Sequence, residues 1–326
     1  MTELAVFEAR QLLVRQVRLE AAGVVSLTLV DPDGGELPAW APGAHIDLRL
    51  PSGAVRQYSL CGPPDDPYSW TVAVLREERG RGGSAEVHDS ALVGRTLQVR
   101  GPRNHFALVD APHYLFLAGG IGVTPILAMV RRVAAAGASW ELHYGGRSRA
   151  GMAFTGALTD VDADRVHIVP QDERGLLPLA ELVEGAPEGT AVYCCGPEGM
   201  VEAATRACAA LRPGALHIER FGAPPGAAPA AAGPPRGASG FTVELRHSGL
   251  TLAVPPDRTL LDVVREVAPD VGFSCEEGYC GSCETRVLAG VPEHHDSVLS
   301  DEERKRGDTM MICVGRSASE LLVLDL

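Results

Sequence analysis

Four cysteines constrain this chain more than any other feature. Cys275-Glu-Glu-Gly-Tyr-Cys280-Gly-Ser-Cys283 puts four and then two residues between thiols, and Cys313 follows at a distance. Three thiolates in one compact loop with a remote fourth is the spacing of a plant-type [2Fe–2S] centre. Two irons need four thiolates closing around them, so most of the ligands must come from one tight turn. Gly278 and Gly281 allow the positive φ angles that aim the loop amides at sulfur, and such N–H···S bonds help set the reduction potential. Zinc also takes four cysteines, but its usual motif is two separated CxxC-type pairs. Unrelated core cysteines at this spacing would be a coincidence.

A chain of 326 residues can bury two or three separate cores. A net charge of −13 argues against nucleic acid or an anionic membrane as the main partner. The excess is uneven: residues 240–326 carry 8 Lys and Arg against 16 Asp and Glu. Such a surface suits a partner with basic residues, although a solvated acidic face is the commoner meaning. Met1 to Arg18 mixes charges through its apolar residues, unlike a secretory leader. The uncharged run Ala111–Val130 is long enough for a bilayer, but Pro112, Gly119, Gly120, Gly122 and Pro125 make it read as strand, turn and buried helix. A cytoplasmic setting is expected, in which the 8 cysteines serve as ligands, redox-site or core residues rather than disulfides.

Residues 1–105 read as β-rich, with candidate strands Leu12–Leu19, Val24–Val30, His45–Leu50, Arg56–Cys61, Ser69–Leu75 and Thr96–Arg100. Short strands separated by Gly/Pro/Asp turns suggest a small barrel or sandwich. After Pro112 the rhythm changes. Strands Tyr114–Ala118, Trp140–Tyr144, Arg165–Val169, Ala191–Cys195 and Ala215–Ile218 alternate with helical stretches, which means a parallel α/β sheet. The stretch after Phe221 is rich in Ala, Pro and Gly and reads as a linker over 223–239. Beyond it, strands near Phe241–Arg246, Glu284–Ala289 and Leu321–Leu324 accompany a helix near Leu260–Val267.

Gly119-Gly-Ile-Gly-Val-Thr-Pro125 follows a strand and opens a helix, where glycines let the backbone approach a phosphate. Alone this is weak, because such turns often serve only tight packing. Tyr193-Cys194-Cys195-Gly196-Pro197 is a second strand-to-helix turn at the ligand-binding edge of the same sheet. Its Cys195 reads equally as a core residue or as a turn-exposed thiol facing ligand. Arg56-Gln57-Tyr58-Ser59 offers an aromatic ring beside a guanidinium, suited to a flat heterocycle, and Arg81-Gly82-Gly83-Ser84 opens a helix in a way that suits phosphate. Either is also compatible with ordinary strand and turn. His88, His105, His294 and His295 read as surface or structural residues.

In this order, together with His217-x-Glu-x-Phe-Gly222 and the cysteine loop, these motifs resemble the phthalate dioxygenase reductase and vanillate demethylase reductase family over essentially the whole chain. The resemblance implies an antiparallel β-barrel binding FMN (1–105), an α/β parallel-sheet NAD-binding domain of ferredoxin-reductase type (106–222), and an α+β β-grasp ferredoxin domain (240–326). It implies that Arg56, Gln57, Tyr58 and Ser59 hold the isoalloxazine and ribityl chain, that Ala73 and Val74 line the ring, and that Gly82, Gly83 and Ser84 take the phosphate. Thr124 and Phe221 would reach the flavin from the second domain, while Gly120, Gly122, Cys195, Gly196 and Pro197 would seat the nicotinamide nucleotide. Ser59, Cys195 and Phe221 would stand where the hydride moves.

The implied activity passes electrons from NADH or NADPH through FMN and the cluster to an oxygenase. A Rieske-type aromatic dioxygenase or O-demethylase is the expected partner, a cytochrome P450 the alternative, and the chain is expected to act as a monomer. Arg147-Ser148-Arg149 stands where the phthalate enzyme has an acid after its arginine. Arginine and serine there would accept a 2′-phosphate, yet vanillate-type reductases carry Arg-Ser and use NADH, so both cofactors stay open. The reading from another class is a zinc-stabilised interaction protein with a decayed nucleotide fold, which would be colourless.

Overall fold

The computed structural model describes residues 9–78, 80–222, 239–269 and 271–326. The chain divides into two compact units, Met1–Phe221 and Gly222–Leu326. Residues 223–238 of the expected linker lie outside the described residues.

The first unit begins with six strands: β1 Arg10–Ala21, β2 Val24–Val30, β3 His45–Arg49, β4 Val55–Ser59, β5 Trp70–Leu75 and β6 Thr96–Arg103. They pair antiparallel in the order β4-β3-β6-β1-β2-β5. A bridge between Leu60 and Val72 brings the two edges together, as barrel closure requires. Alternation sends Leu12, Leu27, Leu29, Ile46, Leu48 and Trp70 inward to one core. Helix α1, Gly83–Asp89, follows β5.

The same unit continues with β7 His113–Gly119, β8 Ser139–Gly146, β9 Val166–Pro170, β10 Thr190–Cys195 and β11 Leu216–Glu219. All are parallel, in the order β11-β10-β7-β8-β9. Between them run α2 Val123–Ala135, α3 Thr155–Thr159, α4 Gln171–Arg174, α5 Leu179–Gly185 and α6 Glu198–Leu211. The uncharged run that matched a bilayer in length is β7, a short turn and α2, a helix packed with Ile126, Leu127 and Val130 in the core. Among the described residues no helix is long and apolar enough to cross a membrane. The chain winds from β7 through β8 to β9 in one direction and then returns to lay β10 and β11 on the other side. The strand order therefore reverses between β7 and β10, where open α/β sheets form a crevice.

In the second unit β12 Phe241–Leu245, β13 Leu250–Val254, β14 Glu284–Ala289, β16 Thr309–Met311 and β18 Leu321–Leu324 form a mixed sheet ordered β13-β12-β18-β14-β16, with the short pair β15 Pro292–Glu293 and β17 Arg316–Ser317 beside it in sequence. Helix α7, Leu260–Val267, is capped by Thr259, which accepts from Asp262 N at 3.0 Å, and it buries Leu260, Leu261, Val263 and Val264. Among the elements not expected from the sequence, β13 carries apolar residues yet is mostly exposed, and α8, Asp301–Arg306, buries nothing. Its Ser300/Glu303 capping box and its acidic-to-basic charge order hold α8 instead.

Candidate functional site

The four cysteines converge. Cys283 ends its loop at the start of β14, and β14 pairs with β16, so Cys313 just past β16 is carried alongside, with Ile312 N donating to Cys283 O at 3.4 Å. The Cys275 thiol hydrogen-bonds both Cys280 and Cys313, and Cys313 bonds Cys283, which links all four sulfurs. All four are buried and none is in a disulfide. Gly278 and Gly281 take φ of 72° and 73°, as expected, and Glu276 joins them at 59°. Backbone amides point at sulfur: Glu277 N lies 3.3 Å from Cys275 Sγ and Cys275 N 3.4 Å from Cys280 Sγ. The Cys275 thiol, and then burial, push the Cys280 thiol well above its ordinary value. Four thiols brought together, with backbone amides presented to two of them, fit an iron–sulfur group held by thiolates. Asp296 braces the loop, accepting from Val298 N at 3.0 Å and Leu299 N at 2.9 Å with its own Cα close under Gly278. His294 is half-buried beside that carboxylate, with 3.8 Å between Nδ1 and Oδ2.

At the switch point the two glycine turns press on each other. A Cβ on Gly122 would stand 2.3 Å from Cys195 O, and one on Gly119 would stand 2.6 Å from Pro197 Cδ and 3.2 Å from Gly196 Cα. Gly120 differs: its φ is 54° and nothing lies within 4 Å of its missing side chain. Of the two glycines expected to seat a nucleotide, Gly120 therefore opens on space while Gly122 is a packing glycine. Of the two readings of Cys195, the structure bears out the core residue. As the last residue of β10, an interior strand of the sheet, it is fully buried, and burial pushes its thiol well above the ordinary value. Gly196 and Pro197 follow it, and α6 starts at Glu198. Thr124 is buried, with its hydroxyl donating to Ile121 O at 3.0 Å.

The barrel motifs also meet. Arg56 on β4 donates to Arg81 O at 2.9 Å, and a Cβ on Gly83 would stand 2.5 Å from Arg56 Nε, so the strand and the Arg81–Ser84 loop form one surface. Gly82 has φ of 80° with open space around it, and Ser84 Oγ accepts from Glu77 N at 3.0 Å, leaving its O–H to donate. Gln57 and Tyr58 follow Arg56 on the same edge strand, where Tyr58 packs on the barrel core and burial raises its phenol above the ordinary value. Ala73 and Val74 are both buried, but neighbouring strand residues face opposite ways. Ala73 packs with the α/β core and Val74 with the barrel core, so their side chains do not line one ring together. Phe221 closes the unit and is 42% exposed.

Two residues here, Glu219 and His45, were given no role from the sequence. Ser59 Oγ donates to Glu219 Oε2 at 3.3 Å, joining the end of β4 to the end of β11. His45, 2% exposed and paired with Ser59 across β3 and β4, has Nδ1 3.8 Å from Glu219 Oε1 and stacks on the exposed His105 at 5.6 Å. Burial raises Glu219 to about 8 and lowers His45 to about 3, so both are neutral at pH 7. The signal for Glu219 was its place in the His217–Gly222 motif. Between pH 4.5 and about 8 the folded protein holds a proton on Glu219 that the unfolded chain has lost. Stability therefore falls as pH rises through that window, by about 1.4 kcal/mol per pH unit for one proton. His45 acts oppositely, its contribution being lost as pH falls from 6.5 toward 3. Denaturation can be followed by tryptophan fluorescence, since Trp40, Trp70 and Trp140 all lie in the first unit. From pH 6 to 8, Glu219→Gln should escape about 2 kcal/mol of the wild-type decline. Parallel pH profiles would mean the carboxyl is already ionised in the folded protein.

A parallel sheet with opposed glycine turns at its switch point, preceded by a barrel and followed by a four-thiol loop, defines an iron–sulfur oxidoreductase of the reductase class. Residues 243–317 match the 2Fe-2S iron-sulfur cluster binding domain, and residues 97–213 match the N-terminal domain of dimethylamine monooxygenase subunit DmmA-like proteins. The chain belongs to the phthalate dioxygenase reductase family. It is 35% identical to phthalate dioxygenase reductase, covering 98% of each chain with a TM-score of 0.70. It is 45% identical to phenoxybenzoate dioxygenase subunit beta of Ectopseudomonas oleovorans, over 96% of each chain. It is also similar to an intact type IV self-sufficient cytochrome P450 monooxygenase, at 40% identity and a TM-score of 0.86 over 100% of this chain. It spans only 43% of that P450's length.

Proposed function

We propose that this protein is the reductase component of a multicomponent oxygenase, carrying electrons from NADH through FMN and a [2Fe–2S] cluster to a Rieske-type partner. The observation that carries this reading is the linked set of four buried thiols on the same chain as a nucleotide crevice. When bound, nicotinamide supplies a hydride, flavin converts the pair to single electrons, and the cluster carries them singly.

The chain's own residues bind and orient. Arg56, Gln57, Tyr58 and Ser59 hold the flavin ring and ribityl chain along the edge of β4, beside the backbone of Ala73 and Val74. Gly82, Gly83 and Ser84 with Arg56 take its phosphate. Phe221 and Thr124 bound the ring from the α/β side. Gly120 with Gly196 and Pro197 admits the nicotinamide nucleotide, while Gly122 and Cys195 hold the two turns together. Glu219 keeps a proton next to Ser59. Cys275, Cys280, Cys283 and Cys313 ligate the irons. The functional domains are 1–105, 106–222 and 240–326 with a tether over 223–239, in a cytoplasmic monomer. The acidic residues of 240–326 suit a partner with basic residues, and exposed charge pairs are screened by salt.

For the nucleotide, Arg149 is engaged by Glu173 at 3.1 Å, which leaves Arg147 as the arginine without an ion-pair partner among the described residues. NADH is therefore the preferred donor, with Arg147 supplying residual affinity for a 2′-phosphate. A charge-assisted hydrogen bond contributes about 1.5–3 kcal/mol. Arg147→Ala should lower kcat/KM for NADPH about 10- to 150-fold with NADH little changed, and Arg149→Ala should do much less; steady-state kinetics with both donors decide it.

The purified protein should be brown, and acid should release FMN. A colourless protein that holds zinc would overturn the reading, and release of FAD would overturn the choice of flavin. The likeness to the P450 chain supports a second partner, a cytochrome P450. NADH-driven turnover with each kind of oxygenase, falling as salt rises for the true partner, distinguishes them.

A further inference from the structure

A group of nitrogen and oxygen donors lies on the parallel sheet, outside everything described above. Strand β8 sends Ser139, Glu141 and His143 to one face, because side chains two apart on a strand share a side. His143 pairs directly with His167 on β9, and paired residues of neighbouring strands also share a face. The result is a carboxylate and two imidazoles gathered from two adjacent strands. One atom each of Glu141, His143 and His167 lies within 4.8 Å of the others. His143 Nε2 is 3.3 Å from Glu141 Oε2, and the two imidazoles stack with centroids 4.5 Å apart at an angle of 29°. A third imidazole is on the same face. His113 pairs with Ser139, two residues from Glu141, and holds Ser139 Oγ with Nδ1 at 2.8 Å. Its Nε2 is buried and has no hydrogen-bond partner among the described residues.

We propose that Glu141, His143 and His167 form a binding site for a divalent transition-metal ion, Zn2+ first among them. A tetrahedral ion bound at about 2.0–2.1 Å holds its ligand atoms about 3.4 Å apart. The His143–Glu141 pair already has that separation, and closing the third side needs only side-chain rotation by the exposed His167. An ion pair alone uses one imidazole and one carboxylate. The second imidazole stacked on the first is unexplained by that pair, and two imidazoles beside one carboxylate suit a dication that both can donate to. Two nitrogens and one oxygen select borderline metals such as zinc, nickel or copper(II) over magnesium and calcium. Three protein ligands leave a coordination position for water or for His113. The site is separate from the four thiols, which belong to the other unit. It stands on the strand whose end leads to Arg147, three residues of strand before Gly146, or about 10 Å.

Zinc binding to the full-length holoprotein tests this, by competition with a chromophoric chelator and by metal analysis after dialysis. One equivalent of Zn2+ beyond the cluster iron is expected, unaffected by excess Mg2+. His167→Asn, at an exposed position that leaves folding intact, should weaken binding at least tenfold, and His143→Gln should abolish it. His247→Ala, in the second unit, should bind as wild type does. Absence of stoichiometric zinc, or binding that survives unchanged in both His167→Asn and His143→Gln, would overturn the site.

Discussion

Cys280→Ser should leave the protein almost free of iron and sulfide while its flavin is still reduced by NADH. Cys280 stands in mid-loop, with its Sγ accepting from Cys275 N at 3.4 Å and contacting Ser282 Oγ at 3.3 Å. A serine keeps the shape but offers a hard alcohol that does not ionise near neutral pH, so one iron loses its anionic ligand. Changes to groups that only support a ligand already cost about 10- to 100-fold in metal affinity, and loss of a ligand exceeds that. The proposed hydride site belongs to the other unit, which has its own cores. NADH–ferricyanide activity, which draws directly on flavin, should persist, while cytochrome c reduction and oxygenase turnover are lost. The second unit should also unfold more easily, because a group bound only by the folded state stabilises it. Iron and sulfide assays check the result. A full complement of both in Cys280→Ser would remove Cys280 from the ligand set.

Gly122→Ala should destabilise the first unit far more than Gly120→Ala, reversing the order that backbone dihedrals alone suggest. Gly122 has φ of −62°, where alanine is at ease. Its new Cβ, however, would meet Cys195 O at 2.3 Å, Cys195 C at 2.5 Å and Gly196 N at 2.7 Å. These are backbone atoms at the end of the interior strand β10 and cannot swing aside, so the end of β10 and the start of α2 must separate. Forcing atoms into a packed site costs about 1–3 kcal/mol and sometimes more, and this contact belongs at the upper end. For a domain of this size, about 3 kcal/mol lowers Tm by roughly 6–12 °C. Gly120→Ala meets no neighbour and incurs only the left-handed strain of about 1–2 kcal/mol. Nucleotide affinity should fall in Gly122→Ala even at temperatures where the unit is folded, because the same turns form the crevice. Thermal melts followed by tryptophan fluorescence, with NADH titrations, would show it. Equal melting of the two variants would mean that the turns are not in contact.

The strand framework was legible because its cause is local. Short apolar segments placed β2 and β18 at their observed bounds, and the helix expected near Leu260–Val267 is α7. Two elements escaped that reading: β13, whose apolar residues are mostly exposed, and α8, which is held by its cap and its charges. The ligand cysteines were legible for the same reason, since three of the four lie in one loop whose spacing is itself the chemistry.

By itself the sequence determined most of the strands, the cysteine loop and the positive φ of Gly278 and Gly281, because each follows from neighbours a few residues away. Only the tertiary structure decided what long-range crossings impose. It made Gly122 a glycine through the carbonyl of Cys195, buried the Cys195 thiol, and turned Val74 into the barrel while Ala73 faces the α/β core. It also brought Ser59, His45 and Glu219, far apart along the chain, into one buried group. Such contacts depend on which strands lie side by side, and β-sheet order is set by pairing between distant segments that no local window contains.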